Sequence, residues 1–379
     1  MTGPYLWLGG EEIEKEIAAH LGRAEIPEGG YRAASARAGD PLQRSRWLGL
    51  WRALEDSLTP KRRDRYEARE GQAVRARATG LFEFLAGAHA VAPEQVLLDF
   101  TRGAVEVMDD TVAAAGRERS RRFGGLAPGS EDLAAAVPAL SSLADHDGLF
   151  PAKALVPILR QLGGRLGLDP EVSLPRLLLG SRRGPGGLVR ALGGFGRSAR
   201  ATFLSRLRGR DDLEGCDVAF GEAAEVLFRR LVLSTRFGSW SGLSPEGNWL
   251  ADLRFEEAVG HRLAWTYLVL ASEGVVGPTG RTAKLFERAT GRPATPDQVG
   301  RTWDLDPEGA AVLRGTVLGL LLEERLMTRF GKLWFMDRGA GRFLREFWEG
   351  ERGETAESMA ATLELGRIEP TPIVDLYRL

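Results

Sequence analysis

One stretch constrains this chain more than any other. From Asp217 to Arg230 the residues read as a helix that carries Glu222 and Glu225 on one face, three positions apart. By itself Glu-Ala-Ala-Glu is ordinary helix surface, and Glu225 has Arg229 one turn on as a solvated ion-pair partner. The segments on either side decide whether the two carboxylates have a chemical role.

Helical spacing dominates those flanks. Glu11 to Leu21 forms a short amphipathic helix, Trp47, Leu48, Trp51, Leu54 and Leu58 recur at helical intervals, and a longer helix runs from Lys61 to Ala90. Phe150-Pro151 leads into a helix that stops near Gly163, and further helices are predicted from about Trp249 to Ser272, from Ala311 to Phe330 and from Gly341 to Glu349. Two stretches break the pattern. Ser181 to Gly196 holds six Gly and one Pro, which predicts a mobile loop. Arg200 to Arg208 sets β-formers in partial alternation ahead of a turn at Gly209 to Asp212, which predicts a strand and a small sheet near 198–210. The Gly/Pro-rich segment Phe123 to Glu131 marks the boundary between an N-terminal helical section, 1–125, and a second domain, 126–379.

Composition narrows the class. Of the 379 residues 43% are hydrophobic, enough for a substantial core, and 51 basic residues against 52 acidic ones exclude the strongly basic surface of a nucleic-acid binder. A single cysteine, Cys216, excludes an internal disulfide and any cysteine-cluster metal site. No leader-like or membrane-length apolar run occurs, so the expectation is a cytoplasmic protein without a membrane partner. The Gly277 to Thr282 run lacks the spacing of a phosphate-binding loop, and Trp47, Trp51, Trp7 and Trp334 are expected in the core.

Several ordered segments carry a resemblance. Gly221-Glu222-Ala223-Ala224-Glu225 occupies the frame of an H-E-x-x-H metal helix, in which two His on one helical face hold a metal and the Glu between them polarises water. Phe150-Pro151 precedes it. Trp249-Leu250-Ala251-Asp252, Val259-Gly260-His261, Phe330-Gly331-Lys332-Leu333-Trp334 and Ala340-Gly341-Arg342-Phe343-Leu344-Arg345-Glu346-Phe347-Trp348 follow in order. Together, over about residues 140 to 379, these resemble the gluzincin oligopeptidases, zinc metallopeptidases typified by thimet oligopeptidase and the oligoendopeptidases. The resemblance implies a mainly α, two-lobed helical body with a small β-sheet beside a central cleft.

It also assigns roles. The first His ligand falls on Gly221, the base on Glu222, the second His ligand on Glu225 and the third ligand, a Glu in the family, on His261. Tyr267 is the nearest counterpart of the tyrosines that stabilise the tetrahedral intermediate. A bound peptide would pair with the edge of the strand at 200–208, at Thr202, Leu204 and Arg206.

Because Gly221 has no donor atom, the leading expectation is a pseudo-peptidase without cofactor that holds a peptide or protein segment. The alternative is a rewired hydrolase, in which Glu222, Glu225 and His261 bind a divalent ion, zinc or another, or act as a metal-free acid–base group. A third reading leaves all three on helix surfaces, with Glu257–His261 and Glu225–Arg229 as one-turn pairs.

Overall fold

The computed structural model describes residues 152–168, 184–208, 217–242 and 308–376, and single positions at 71, 74, 75, 77, 253, 257, 261, 280, 281, 283 and 284. The chain divides into two units, each discontinuous in sequence. One comprises 1–88, 105–144 and 254–309, the other 89–104, 145–253 and 310–379. The second holds nearly all of the continuous described segments. They form eight α-helices: α1 (Ala152–Leu166), α2 (Gly184–Arg208), α3 (Ala219–Arg229), α4 (Thr235–Ser241), α5 (Glu308–Phe330), α6 (Arg338–Glu349), α7 (Ala356–Thr362) and α8 (Thr371–Asp375). The class is mainly α, and none of the described residues forms a strand.

Two expectations are corrected by α2. The Gly-rich stretch is helical from Gly184 onward, and the predicted strand at 200–208 is the C-terminal third of the same helix, so no sheet forms at 198–208. The physical reason lies in the apolar spacing. Leu188, Ala191, Leu192, Phe195 and Ala199 are buried at intervals of three and four, and Leu204 continues the face. The alternation read at Arg200 to Arg208 is a fragment of this longer period. Each interior Gly costs roughly 0.5–1 kcal/mol relative to Ala in a helix, so packing has to offset the cost.

That packing is visible along α3. A Cβ added to Gly196 of α2 would overlap the carbonyl oxygen of Ala224, and one at Gly193 would lie 2.7 Å from Glu225 Cγ. On another side, a Cβ at Gly315 of α5 would lie 2.5 Å from Glu222 Cβ and 2.6 Å from the Ala219 carbonyl oxygen. Glycines on both neighbours thus let α3 be clasped backbone to backbone. Of its residues only Gly221, Glu225 and Arg229, one per turn, are not buried. A helix apolar nearly all round is an interior helix, and here it is the one around which the unit packs.

Aromatic rings close the rest of this core. Phe195 meets Phe228 edge-on at 5.1 Å between ring centres, Phe220 meets Phe347 at 5.9 Å, and Phe228 meets Trp334 at 5.9 Å. Trp334 is buried, as its sequence setting predicts, whereas Trp7, Trp47 and Trp51 lie outside the described residues. The helix ends are capped by local chemistry. Gly167, at φ +66°, ends α1 with Leu168 N–H on the Gly163 carbonyl and Gly167 N–H on that of Gly164. Ser234 caps α4 by accepting the Phe237 N–H at 3.3 Å.

Candidate functional site

The half-buried stripe of α3 faces two arginines of α2. Arg197 and Arg200 follow Gly193 and Gly196 at helical spacing, so the glycines that bring the two backbones together also aim both guanidinium groups across α3. Arg197 Nη2 donates to Glu222 Oε2 at 2.5 Å and Arg197 Nε donates to Glu225 Oε2. One guanidinium therefore spans both carboxylates. Arg229 Nη1 stands 3.8 Å from Glu225 Oε1, the one-turn ion pair that the sequence predicts.

Arg200 passes beside the remaining motif position. A Cβ on Gly221 would meet Arg200 Nη1 at 3.8 Å, and the Arg200 fork closes on Glu351, with Nε 2.9 and 3.0 Å from the two carboxylate oxygens. Glu351 is fully buried, so this pair is a bidentate tie between α2 and the segment after α6.

Glu222 is 6% exposed. Burial, and then the charge of Glu225, push its carboxyl above the ordinary carboxylate range; Arg229 and Arg197 pull it back without cancelling the rise. The neutral form is thus favoured in the folded state. Its stabilising effect is complete below the ordinary carboxylate range and is lost as pH rises through the raised value. A Glu222→Gln variant, neutral at every pH, is expected to gain in melting temperature relative to the parent as pH rises from the ordinary carboxylate range, about pH 4, towards the raised value. Thermal unfolding across that range checks it, and a gap that shrinks as pH rises would contradict the assignment.

The motif positions of α3 by themselves lack the donors of a zinc site. Gly221 offers no donor, Glu222 and Glu225 already share a guanidinium, and the described residues contain no group of three or more His, Cys, Asp or Glu able to hold a metal. What the arrangement can do is keep two carboxylates charge-compensated at the edge of an interior helix, with burial shifting the balance at Glu222 towards its protonated form.

The other expected site residues are distributed as follows. His261 is helical and buried, and it belongs to the other unit, with Glu257 one turn before it. Tyr267 lies outside the described residues. Leu204 is buried, Thr202 half-buried and Arg206 exposed, all on α2. A helix spends its backbone N–H and C=O groups internally, so these three offer no strand edge to a peptide, and pairing of that kind is ruled out there.

Sequence reasoning missed Arg197 and Arg200, because α2 was divided between a loop and a strand. The signal was present in the helical phase that runs unbroken from Leu188 through Ala199. A second polar cluster was also missed. Arg314 of α5 donates to both oxygens of Asp217, at 3.1 and 2.5 Å, and to Glu357 at 2.7 and 2.6 Å. Asp217 additionally accepts the N–H groups of Ala219 and Ala356, each at 3.0 Å, so it anchors the starts of α3 and α7.

No protein-family model matches this sequence, and comparison with curated proteins gives no match either.

Proposed function

We propose that this chain is a pseudo-peptidase: a cytosolic protein of gluzincin oligopeptidase type, on a two-lobed helical body with a central cleft, that binds a peptide or protein segment without hydrolysing it. The observation that carries this reading is the Arg197 guanidinium lying across Glu222 and Glu225. In an active site of this type the Glu at the base position must be free to take a proton from metal-bound water. Here its partner is an arginine, which remains protonated at any physiological pH and cannot exchange the proton. With α2 helical, a peptide would be held by side chains and helix faces rather than by strand addition.

The test is direct. Purified protein is assayed for metal by mass spectrometry and for cleavage of a mixed peptide library, with and without chelator. The expected result is no stoichiometric metal and no cleavage, with peptides retained on the immobilised protein. Stoichiometric metal together with cleavage lost on chelation would overturn the reading.

The raised Glu222 carboxyl favours a second reading, a metal-free acid–base group that holds its proton to higher pH than an ordinary carboxyl. A hydrolytic activity that survives unchanged in both Glu222→Ala and His261→Ala would eliminate it.

A further inference from the structure

The ends of α5, α6 and α7 line a half-open cavity of about 310 Å³ in the second unit, apart from the Glu222 pair and independent of the reading above. Its floor is apolar: Phe343, Phe347 and Met359 are buried, with the two rings one turn apart on α6. Its rim is charged by Arg329, Glu346 and Glu354. Among the described residues these three side chains form no ion pair and no hydrogen bond, in a unit where Arg197, Arg200, Arg230 and Arg314 are all matched to carboxylates.

Arg329 is nevertheless held in place. Its guanidinium carbon lies 5.3 Å from the centre of the Phe330 ring and 5.6 Å from that of Phe343. A cation held by ring contacts of this kind spends none of its N–H donors on a hydrogen bond, so they are available to a carboxylate. Glu346 and Glu354 supply acceptors that suit an ammonium group. An apolar floor with unmatched charge of both signs on its rim is complementary to a small zwitterion with a hydrophobic body. The volume, at the low end of the roughly 300–1,000 Å³ of ligand pockets, limits that ligand to single-residue size.

We infer that the cavity between α5, α6 and α7 binds a free α-amino acid with an aromatic or large aliphatic side chain. Arg329 takes the carboxylate, Glu346 and Glu354 take the ammonium, and the side chain lies on Phe343, Phe347 and Met359. A peptide terminus would present one of the two charges and not the other, which separates the two sources of the same chemistry.

The experiment is calorimetric titration of the full chain with L-phenylalanine, its amide and its N-acetyl derivative, repeated with Arg329→Gln and Glu354→Gln. Saturable one-site binding of the amino acid is expected, weakened about tenfold or more by either substitution and by masking either charge of the ligand. Absence of saturable binding to the folded parent overturns the inference, as does unchanged affinity in both variants or for either derivative. Both replaced side chains are exposed, and thermal unfolding verifies that each variant is folded; should one fail to fold, the other and the ligand series still decide.

Discussion

Replacing Arg314 by Met is expected to lower the unfolding free energy by about 3–5 kcal/mol, the range found when one partner of a buried ion pair is removed. Arg314 and Asp217 are both fully buried, and the pair is 97 residues apart in the chain. Met preserves much of the aliphatic volume, so the loss isolates the charge. Without the guanidinium, Asp217 keeps its two backbone donors but has no compensating cation in a dry interior. Glu357, 23% exposed, can turn to water and should contribute less to the loss. The double variant Arg314→Met with Asp217→Asn should recover part of the deficit, because the uncompensated charge is gone while one side-chain oxygen remains to cap α3. Urea unfolding of the parent and both variants measures this. A single variant within about 1 kcal/mol of the parent would mean that the interior is wet around Asp217 and that the triad is not the tie between α3, α5 and α7.

How much of this fold the chain discloses depends on the range of the interaction concerned. Helix α3 is legible because its own residues settle it, and Glu225 meets Arg229 one turn on, as spacing alone requires. The ends of α1, α5 and α6 fall within three residues of where their apolar periods place them. Helix α2 is different. Locally, six glycines argue for a flexible segment; what makes the segment helical is the approach of α3, visible at Gly193 and Gly196 only once both helices are in place. The same long-range dependence hides the site. Glu222 and Glu225 are identifiable from the frame of a motif, but their partner Arg197 lies 25 residues or more away, on the element that local reasoning divided. Reading Arg200 to Arg208 as a strand followed from the same error, since a short piece of a helical face passes for alternation when the residues before it are discarded.

The packing role of glycine gives a second test with a large expected effect. Helix α6 crosses the end of α1 so closely that a Cβ on Gly341 would overlap the carbonyl oxygen of Leu166, and Arg345 Nη1 donates to the Gly167 carbonyl oxygen at 2.6 Å beside it. Both sides of the contact are backbone, so no rotamer change relieves the overlap; the helices must separate. Overpacking typically costs 1–3 kcal/mol, and with backbone on both sides Gly341→Ala is expected to cost about 3 kcal/mol or more. Gly164, on α1 near the same crossing, has nothing within 4 Å of the corresponding position. There the Ala substitution is expected to stabilise by about 0.5–1 kcal/mol, through helix propensity alone. The same chemical change should thus move the urea midpoint in opposite directions at two sites on one junction. If Gly341→Ala also leaves the midpoint unchanged or raises it, α6 does not lie against the end of α1.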